Sequence, residues 1–531
     1  LASDEDSGAD TDAFISTYTI GTSGDYFVRV GNKSASSTAG DYQLRVDVAR
    51  GDVNLETDAA YANDSIGGAD LISFPATTPQ HAISNVAGTI MATEGTNTDE
   101  DYFSLGTLDV GNTLTLTTQL PALSTLDGKV RIVDSSGTDL TDADANPNDD
   151  DFTGTIVARD EYYAVVEANS GAGPLAQYLL NIDIGDIVAP QVTSTTGLPD
   201  EGATSSDIIS SLSLDFSERM DPATVLAAGA FDLREAGADL AFGTADDTIV
   251  NLILQSGVTE FSTSLDFFLQ SGPLASGNYR FTVANTVGDR AGNRIDGNGD
   301  GTGGDAFVRN FTLDLPAAFV LEGPDNNVIG NATPLPLTED PASSGYFTAF
   351  GIGSQDPVLY QTNWSDPDYW SFDAQAGDVV RVAIDTPNSG LDPYVEIRNS
   401  SDGNVQSDDN SGPGVDALTH GYTIPSDGTY YIRVGNYYWS TVVGSYQLRL
   451  DVARGLNLET DRSYNNDAIS NADPISFTSV GLTRVGSTAG AIMLPENTNN
   501  DEDTFNISHQ TAGNTVELTL DLPGHSSLDG Q

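Results

Sequence analysis

A long-range internal repeat is the feature of this sequence that most restricts how the chain can fold. Residues 25–51 and 429–455 are identical at 16 of 27 positions, at a constant offset of 404. The similarity continues from residues 99–103 to residues 501–505, where small deletions have reduced the offset to 402. Such repetition indicates an array of separate modules rather than one large core. We therefore expect modules of about 130 residues each.

The repeat divides the chain into five segments. Residues 316–453 contain a complete module, and residues 1–52 correspond to its C-terminal half. Residues 53–187 form another complete module, residues 454–531 correspond to its N-terminal half, and residues 188–315 have no counterpart. Half of a β-sandwich exposes its core and is not stable alone. We therefore expect the last segment of one unit to form a joined module with the first segment of the next.

Apolar and polar side chains alternate in short runs along the whole chain. Alternation of this kind, with Gly, Asp and Asn between the runs, predicts half-buried strands joined by turns. Apolar residues in such runs are Tyr446, Leu448, Leu450 and Val452; Val380, Val382 and Ile384; Leu114 and Leu116; Leu212, Leu214 and Phe216; and Tyr279, Phe281 and Val283. The sequence therefore predicts an all-β fold, a tandem array of β-sandwich modules.

Composition excludes several classes of protein. The chain has 78 acidic and 20 basic residues, for a net charge of −58, which argues against nucleic acid and anionic lipid as partners. It has no cysteine, so disulfides and thiolate-bound metals are excluded. No apolar run approaches the roughly 18 residues that a membrane span requires. Core packing, backbone pairing and bound cations remain as the sources of stability.

Residues 316–453 contain several motifs that together resemble a known family. The motifs are DPDYWSF at 366–372, AGDVVRV at 376–382, LDP at 391–393, SDDN at 407–410 and GTYYIRV at 428–434. With them the module resembles the bacterial pre-peptidase C-terminal (PPC) domain. The resemblance implies a compact, jelly-roll-like β-sandwich of secreted proteases and large surface proteins, with calcium- and collagen-binding relatives in clostridial collagenases. Residues 53–187 resemble it more loosely, through DEDYF at 99–103, Gly111, Asn112, Leu126, Asp127 and EYY at 161–163.

Residues 188–315 resemble a different family. DFSERMDP at 215–222, FGTADD at 242–247 and DRAGN at 289–293 are similar to motifs of bacterial Ig-like modules in surface-layer and adhesin-type proteins. The resemblance implies an Ig-like sandwich between the two PPC-like modules. Modules of both families are accessory parts of many proteins, so they indicate a fold more strongly than a function.

Two acidic loops of the Ig-like segment are candidate calcium sites. Residues 296–302 read DGNGDGT, which places side-chain oxygens at alternate positions, as in the first half of an EF-hand loop. The twelfth position holds Phe307 instead of a bidentate glutamate, and a solvated Gly/Asp hairpin is the alternative. The candidate ligands are Asp296, Asn298, Asp300, Thr302 and Asp305 in this loop, and Asp239, Asp246 and Asp247 in the other.

The PPC resemblance implies a third group of calcium ligands. In calcium-binding relatives, an acidic residue of the linker and an aspartate pair before the first core strand share one ion. The matching residues are Glu56, Asp99 and Asp101 with Asn63; Glu322, Asp366 and Asp368 with Asn326; and Glu459, Asp501 and Asp503 with Asn466. Turn capping by Asp and Asn would recur in the same way and is the alternative.

An aromatic cluster, Tyr437, Tyr438 and Trp439, lies on a turn between two predicted strands. The equivalent residues near the start of the chain are Lys33, Ser34 and Ala35, so the fold does not require aromatic residues there. A contact with a neighbouring module or chain is one interpretation, and a sugar site is the other. Trp370 is expected in the core because it lies on the alternating apolar face of its strand.

Catalytic motifs are missing from this sequence. The four histidines are scattered, and neither a His-Glu-x-x-His motif nor a Gly-x-Ser-x-Gly elbow is present. We therefore expect no enzyme but a structural protein of an extracellular bacterial fibre, stalk or surface layer, stiffened by calcium. Its expected partners are copies of itself, head to tail and laterally, and surface polysaccharide. The alternatives are an extracellular adhesin that binds carbohydrate or matrix, and an accessory region of a large secreted hydrolase.

Overall fold

The fold is that of a computed structural model, which describes residues 1–528 except 10–11, 33–38, 75, 79, 145, 147–148, 256, 260–261, 271, 356–365, 388, 438–441, 443 and 494–500. The chain is all-β, as the alternating pattern predicts. In the described part the only α-helix is the single turn α1 (Pro222–Val225), whose first turn is capped by the Asp221 side chain. Among the described residues, no helix has the length and apolar character needed to cross a bilayer.

The strands of residues 53–187 share one core. They are β1 (Val53–Leu55), β2 (Asp70–Leu71), β3 (Ala76–Thr78), β4 (His81–Thr89), β5 (Glu100–Leu108), β6 (Thr113–Gln119), β7 (Asp127–Asp134), β8 (Asp151–Thr155), β9 (Asp160–Ser170) and β10 (Gln177–Gly185). One sheet has the order β1-β4-β10-β6-β8, with β3 beside β4, and another has the order β2-β5-β9-β7. Leu116 and Leu180 of the first sheet and Phe103 and Val166 of the second belong to a single buried cluster.

Residues 188–315 have the same kind of organisation. Their strands are β11 (Val192–Thr196), β12 (Thr204–Ser205), β13 (Ser211–Phe216), β14 (Phe231–Glu235), β15 (Thr248–Val250), β16 (Leu252–Leu254), β17 (Ser264–Leu269), β18 (Gly277–Val283) and β19 (Phe307–Leu313). The sheet orders are β11-β13-β17-β16 and β12-β19-β18-β14-β15. Leu214 and Phe267 from one sheet and Phe281 and Phe311 from the other lie in one core.

The strands of residues 316–453 enclose the core that contains Trp370. They are β20 (Phe319–Leu321), β21 (Thr333–Pro334), β22 (Thr338–Glu339), β23 (Tyr346–Gln355), β24 (Asp368–Ala374), β25 (Val379–Asp385), β26 (Pro393–Arg398), β27 (Asn404–Asp408), β28 (Ala417–Leu418), β29 (Tyr422–Thr423), β30 (Gly428–Asn436) and β31 (Gly444–Ala453). The sheet orders are β20-β23-β31-β25-β28, with β22 on β23 and β29 on β25, and β21-β24-β30-β26-β27. The Trp370 side chain is fully buried, as the strand pattern predicts.

Residues 454–528 contain only short strand pairs in their described part. The strands are β32 (Asn457–Leu458), β33 (Asp473–Pro474), β34 (Thr478–Val480), β35 (Thr483–Val485), β36 (Thr488–Ala489) and β37 (Phe505–Asn506). They pair as β32-β36, β33-β37 and β34-β35. Short 3-10 helices at Ile66–Gly68, Ile329–Asn331 and Ile469–Asn471 occupy equivalent positions in the three related segments.

The first fifty residues differ from what the repeat predicts. Their sequence matches β30 and β31, yet the described residues 12–32 and 39–50 contain no strand. Tyr42 and Leu44 are 73% and 52% exposed, whereas the equivalent Tyr446 and Leu448 of β31 are 0% exposed. The physical reason is that strand sequences become strands only when another strand supplies backbone hydrogen bonds and a core face.

Candidate cation sites

A carboxylate triad forms in the turn that follows β1. Asp58 precedes the bend of this turn, Asp64 precedes the 3-10 helix Ile66–Gly68, and Asp99 immediately precedes β5. One carboxylate oxygen from each of the three lies within 4.8 Å of the other two. Ala60 and Tyr61 both have positive φ angles, of 59° and 57°, a strained conformation that bends the turn sharply between Asp58 and Asp64.

Several oxygens at this triad are buried without a hydrogen-bond donor. Asp58, Asn63 and Asp99 are all buried, and among the described residues Asp58 Oδ2, Asn63 Oδ1 and Asp99 Oδ1 have no hydrogen-bond partner. The second carboxylate oxygen of each aspartate does have a donor. The backbone amide of Asn63 donates to Asp58 Oδ1 over 3.4 Å, and the backbone amide of Met91 donates to Asp99 Oδ2. Shielded oxygens without donors are unfavourable unless a cation neutralises them.

The same arrangement recurs in residues 454–528. Asp461, Asp467 and Asp501 have carboxylate oxygens within 4.8 Å of one another. Asp461 Oδ2, Asn466 Oδ1 and Asp501 Oδ1 are again buried without a hydrogen-bond partner in the part of the chain that the structure describes. The amide of Met493 donates to Asp501 Oδ2, as that of Met91 does to Asp99. The atoms left without donors are therefore the same in both copies.

The electrostatics of the triads follow from burial. Burial, followed by the charge of Asp101, raises the pKa of Asp99 to about 9, and burial raises the pKa of Asp58 to about 6. In the second copy burial raises the pKa of Asp501 to about 7. Several carboxylates crowded out of water favour either protons or a hard cation. Ca²⁺ is such a cation, since it takes six to eight oxygen ligands in flexible geometry.

The remaining predicted ligands of residues 53–187 lie in an adjacent hydrogen-bonded network. Tyr178 donates its hydroxyl hydrogen to Asp101 Oδ2, and Asn63 Nδ2 donates to Asp101 Oδ1 over 3.2 Å. The amide of Thr89 donates to Glu56 Oε1 over 2.8 Å. The structure therefore brings Asp99 together with Asp58 and Asp64. Glu56 and Asp101 belong instead to a separate network, in which the Tyr178 hydroxyl lies within hydrogen-bond distance of both carboxylates.

In the last segment, Glu459 and Asp503 have their own partners. The guanidinium of Arg381 donates to Glu459 Oε1 over 2.6 Å. Asn466 Nδ2 donates to Asp503 Oδ1 over 3.1 Å, which repeats the contact between Asn63 and Asp101. Their neighbour Asp501 belongs to the triad, so here too the predicted ligands divide between a triad and an adjacent network.

Residues 316–453 contain the network without the triad. Tyr446 donates to Asp368 Oδ2 over 2.7 Å, as Tyr178 does to Asp101. The amide and hydroxyl of Ser354 donate to Glu322 Oε1, over 2.9 and 3.1 Å. Asn327 stands at the position of Asp64, and the turn is shorter. Asp366 and Asn326 occupy the positions of Asp99 and Asn63, but no carboxylate triad forms here among the described residues.

A glycine makes room for this network in each related segment. A Cβ atom on Gly88 would lie 2.3 Å from both Glu56 Oε2 and Tyr178 Oη, and the equivalent Gly353 faces Tyr446 in the same way. We expect Gly88→Ala to lower the free energy of unfolding by about 1–3 kcal/mol, because the buried network has to shift. Urea denaturation measures the change. Gly67→Ala is the control, since no atom lies within 4 Å of its Cβ position; equal effects of the two would contradict the assignment.

The two loops of the Ig-like segment are hydrogen-bonded internally. Asp296 Oδ1 accepts from the amides of Gly299 and Asp300, and its Oδ2 accepts from the amide of Gly301 and from Gln191 Nε2. The other members of the loop are linked similarly: Asn298 Nδ2 donates to Asp300 and Asp305, and the amide of Thr302 donates to Asp300. In the other loop Asp239, Asp246 and Asp247 accept backbone amides. Calcium binding by these loops stays a prediction.

Of the aromatic cluster, only Tyr437 lies within the described residues. Tyr437 is half-buried, and its amide donates to the carbonyl of Asp392 over 2.7 Å. Tyr438 and Trp439 fall outside the described part of the chain, so a partner contact there stays a prediction.

Sequence reasoning missed four of the six triad carboxylates: Asp58, Asp64, Asp461 and Asp467. A signal for them existed, because residues 54–58 recur as residues 457–461 with Asp58 and Asp461 in register. Their proximity to Asp99 and Asp501 was not visible, since it depends on a strained turn placed against β5 and its counterpart.

Comparisons with known proteins agree with the two resemblances. Residues 366–436 match the family model of the bacterial pre-peptidase C-terminal domain, and residues 186–307 match that of the bacterial Ig-like domain. The comparison with curated protein sequences gave no match.

Similar solved structures include three of bacterial proteins. The PPC domain of a Bacillus anthracis collagenase is 15% identical, with 19% of this chain and 88% of that chain covered and a TM-score of 0.15. PliG of Aeromonas hydrophila, a periplasmic inhibitor of g-type lysozyme, is 12% identical, with 25% and 99% covered and a TM-score of 0.17. The N-terminal part of the bacterial S-layer protein SbsC is 14% identical, with 33% and 36% covered and a TM-score of 0.16. Such low identities and scores carry no inference about function.

From the family matches, the chain contains a bacterial Ig-like domain at residues 186–307 and a bacterial pre-peptidase C-terminal domain at residues 366–436.

Proposed function

We propose that this protein is a structural element of an extracellular bacterial fibre, stalk or surface layer, assembled from β-sandwich modules and stiffened by calcium. The two domain families fit an extracellular or surface protein rich in β-structure. The high negative charge supports the proposal, since it keeps exposed surfaces soluble and discourages random pairing of sheet edges.

Each complete module is inferred to be a sandwich of two sheets. In residues 53–187, 188–315 and 316–453, buried side chains from a pair of sheets meet in one cluster. Tight side-chain packing between two facing sheets is the arrangement that buries one face of each. Modules of this kind, linked by a few residues, form an extended chain.

The exposure of apolar strand sequences in residues 25–50 is the observation that carries the structural proposal. Tyr42 and Leu44 lie in solvent although the equivalent side chains of β31 are fully buried. In residues 513–520, Val516 and Leu518 are likewise exposed, whereas Leu114 and Leu116, their equivalents in β6, are fully buried. Large exposed apolar patches of this kind mark interaction surfaces.

These two exposed segments are complementary by sequence. In residues 316–453, β31 pairs with both β23 and β25, and residues 40–50 correspond to β31. Residues 486–491 and 513–520 correspond to the strands that would flank it. We therefore assign the strand sequences at residues 486–491 and 513–520 of one unit as the occupant of the surface formed by residues 39–50 of the next, through strand pairing. The result is a head-to-tail array.

Electron microscopy of the complete chain in calcium tests this assignment. We expect end-to-end filaments, and we expect Leu44→Asp to weaken assembly at least tenfold, because a charged side chain would enter the joined core. Val157→Asp is the matched control, since Val157 is 82% exposed and lies outside both segments. A wild-type protein that stays monomeric, or a Leu44→Asp variant that assembles normally, would contradict the proposal.

A further inference from the structure

The junction between residues 53–187 and the Ig-like domain is closely connected. The amide of Gln80 donates to the carbonyl of Ala291 over 2.6 Å, and Gln80 Nε2 donates to Asn293 Oδ1 over 2.9 Å. Asn293 Nδ2 donates in turn to the carbonyl of Asp186 over 3.0 Å. A Cβ atom on Gly111 would lie 2.4 Å from Val188, so the linker packs directly on the preceding module.

A group of three carboxylates spans this junction. Asp186 directly follows β10, the last strand of residues 53–187, at the boundary where the match to the Ig-like domain begins, whereas Glu218 follows β13 and Asp289 follows β18 within that domain. One oxygen of each lies within 4.8 Å of the other two. Glu218 and Asp289 are buried, and Asp186 is half-buried. The group therefore combines side chains from two domains in one shielded position.

One oxygen of Glu218 is buried without a hydrogen-bond donor among the described residues. Glu218 is 4% exposed, and its Oε1 is shielded from solvent with no donor in the described part of the chain. The guanidinium of the adjacent Arg219 donates to Asp109 Oδ2 over 3.0 Å and to the carbonyl of Thr107, and not to Glu218. Asp289 is positioned by Asn293. The backbone amide of Asn293 donates to Asp289 Oδ1, and Asn293 Nδ2 donates to Asp289 Oδ2, each over 2.8 Å.

We propose that Asp186, Glu218 and Asp289 bind one Ca²⁺ ion that fixes the angle between the two domains. Carboxylates from both sides of a linker bring oxygen ligands that a hard cation prefers, and water or backbone carbonyls complete its six to eight ligands. The cation supplies the charge that the buried Glu218 lacks. Cysteine is absent from the chain and the three residues include no histidine, so a soft or borderline metal is disfavoured.

The site deepens the proposed structural function and rests on it for its role, because a rigid junction matters most in an extended array. Its existence can be tested separately from filament formation and from the Asp58 and Asp461 triads. The triads lie within single modules, whereas this group joins two domains. A calcium count on suitable variants therefore distinguishes them.

The test compares the complete wild-type chain with Glu218→Gln after removal of metal and equilibrium dialysis against CaCl₂. Bound calcium is counted by mass spectrometry of the metal, and hydrogen exchange is followed at residues 186–188 and 289–293. We expect Glu218→Gln to bind one ion fewer per chain. We also expect calcium to slow exchange in both stretches of the wild type but not of the variant.

Two further variants make the result decisive. Asp186→Asn should lose the same ion, and it guards against a folding defect because Asp186 is only half-buried. Asp200→Asn is the charge-matched control, since the Asp200 side chain is fully exposed. Burial, then the charges of Asp186 and Asp289, raises the pKa of Glu218 to about 9, so glutamine imitates the protonated, metal-free state. An unchanged calcium count in Glu218→Gln, or equal protection of the junction by calcium in both proteins, would overturn the proposal.

Discussion

Arg381→Met is expected to destabilise residues 316–453 by about 3–5 kcal/mol, a loss typical of breaking a buried ion pair from one side. Arg381 is 2% exposed, and its guanidinium donates to Asp451 Oδ2 over 3.0 and 3.2 Å and to Glu459 Oε1 over 2.6 Å. Asp451 and Glu459 are also buried. Methionine fills similar space but removes the guanidinium from Glu459 and leaves the buried Asp451 with Arg449, at 3.2 Å, as its cation. Urea denaturation measures the loss in the free energy of unfolding, and hydrogen exchange in β25 and β31 locates it.

Two controls separate charge from packing in this experiment. The triple variant Arg381→Met, Asp451→Asn, Glu459→Gln removes the buried charges together, and it should regain much of the lost stability. Arg234→Met, in the Ig-like domain, removes an arginine whose side chain is 29% exposed, and it should change stability by about 0–1 kcal/mol. If Arg381→Met has no larger effect than Arg234→Met, the buried pair does not stabilise the module.

Calcium is expected to stabilise the segments that carry a triad and to leave residues 316–453 unchanged, because that module has Asn327 in place of Asp64. A site filled to about one hundred times its dissociation constant adds about 2.7 kcal/mol. Differential scanning calorimetry with calcium and with chelator measures the effect. In a Glu218→Gln background, which lacks the proposed junction ion, Asp58→Asn should abolish the effect in residues 53–187, whereas Asp366→Asn should leave the calcium response unchanged.

The calcium effect should also depend on pH, with a sign that follows from the raised pKa values. Without calcium, the folded protein holds protons on Asp99 and Asp501, whose pKa values are about 9 and about 7, above the usual value near 4. Stability without metal should therefore fall as the pH rises from about 4 to about 9. Calcium binds the deprotonated carboxylates, so its stabilisation should be larger at about pH 8 than at about pH 5. A calcium response that shrinks with rising pH would contradict the triads as binding sites.

Short-range patterns in the sequence predicted the strands well. The alternating residues Leu114 and Leu116 lie in β6, Val380 and Val382 in β25, and all four are buried. The same pattern failed in residues 40–50, although Tyr42 and Leu44 match residues of β31. Alternation specifies which face of a strand is apolar, but strand formation also needs a neighbouring strand, which is a property of the assembly.

The candidate ligands were predictable as residue types and only partly as sites. The recurrence of Asp99 as Asp501 pointed to one carboxylate of each triad. The division between triad and network depended on Tyr178, which lies far along the chain from Asp101 and donates to it. Likewise Glu459 is engaged by Arg381, 78 residues away, a contact that spacing in the sequence does not indicate.

The sequence by itself determined the all-β class, the internal repeat and the two domain families, because local alternation and recurring motifs indicate them directly. Only the tertiary structure decided which carboxylates meet. Each triad arises where a strained turn lies close to the aspartate that precedes β5 or its counterpart in the last segment. The Asp186, Glu218 and Asp289 group arises where two domains pack together. Burial then gives these ordinary acidic residues their chemistry, since removal of water makes a proton or a cation necessary.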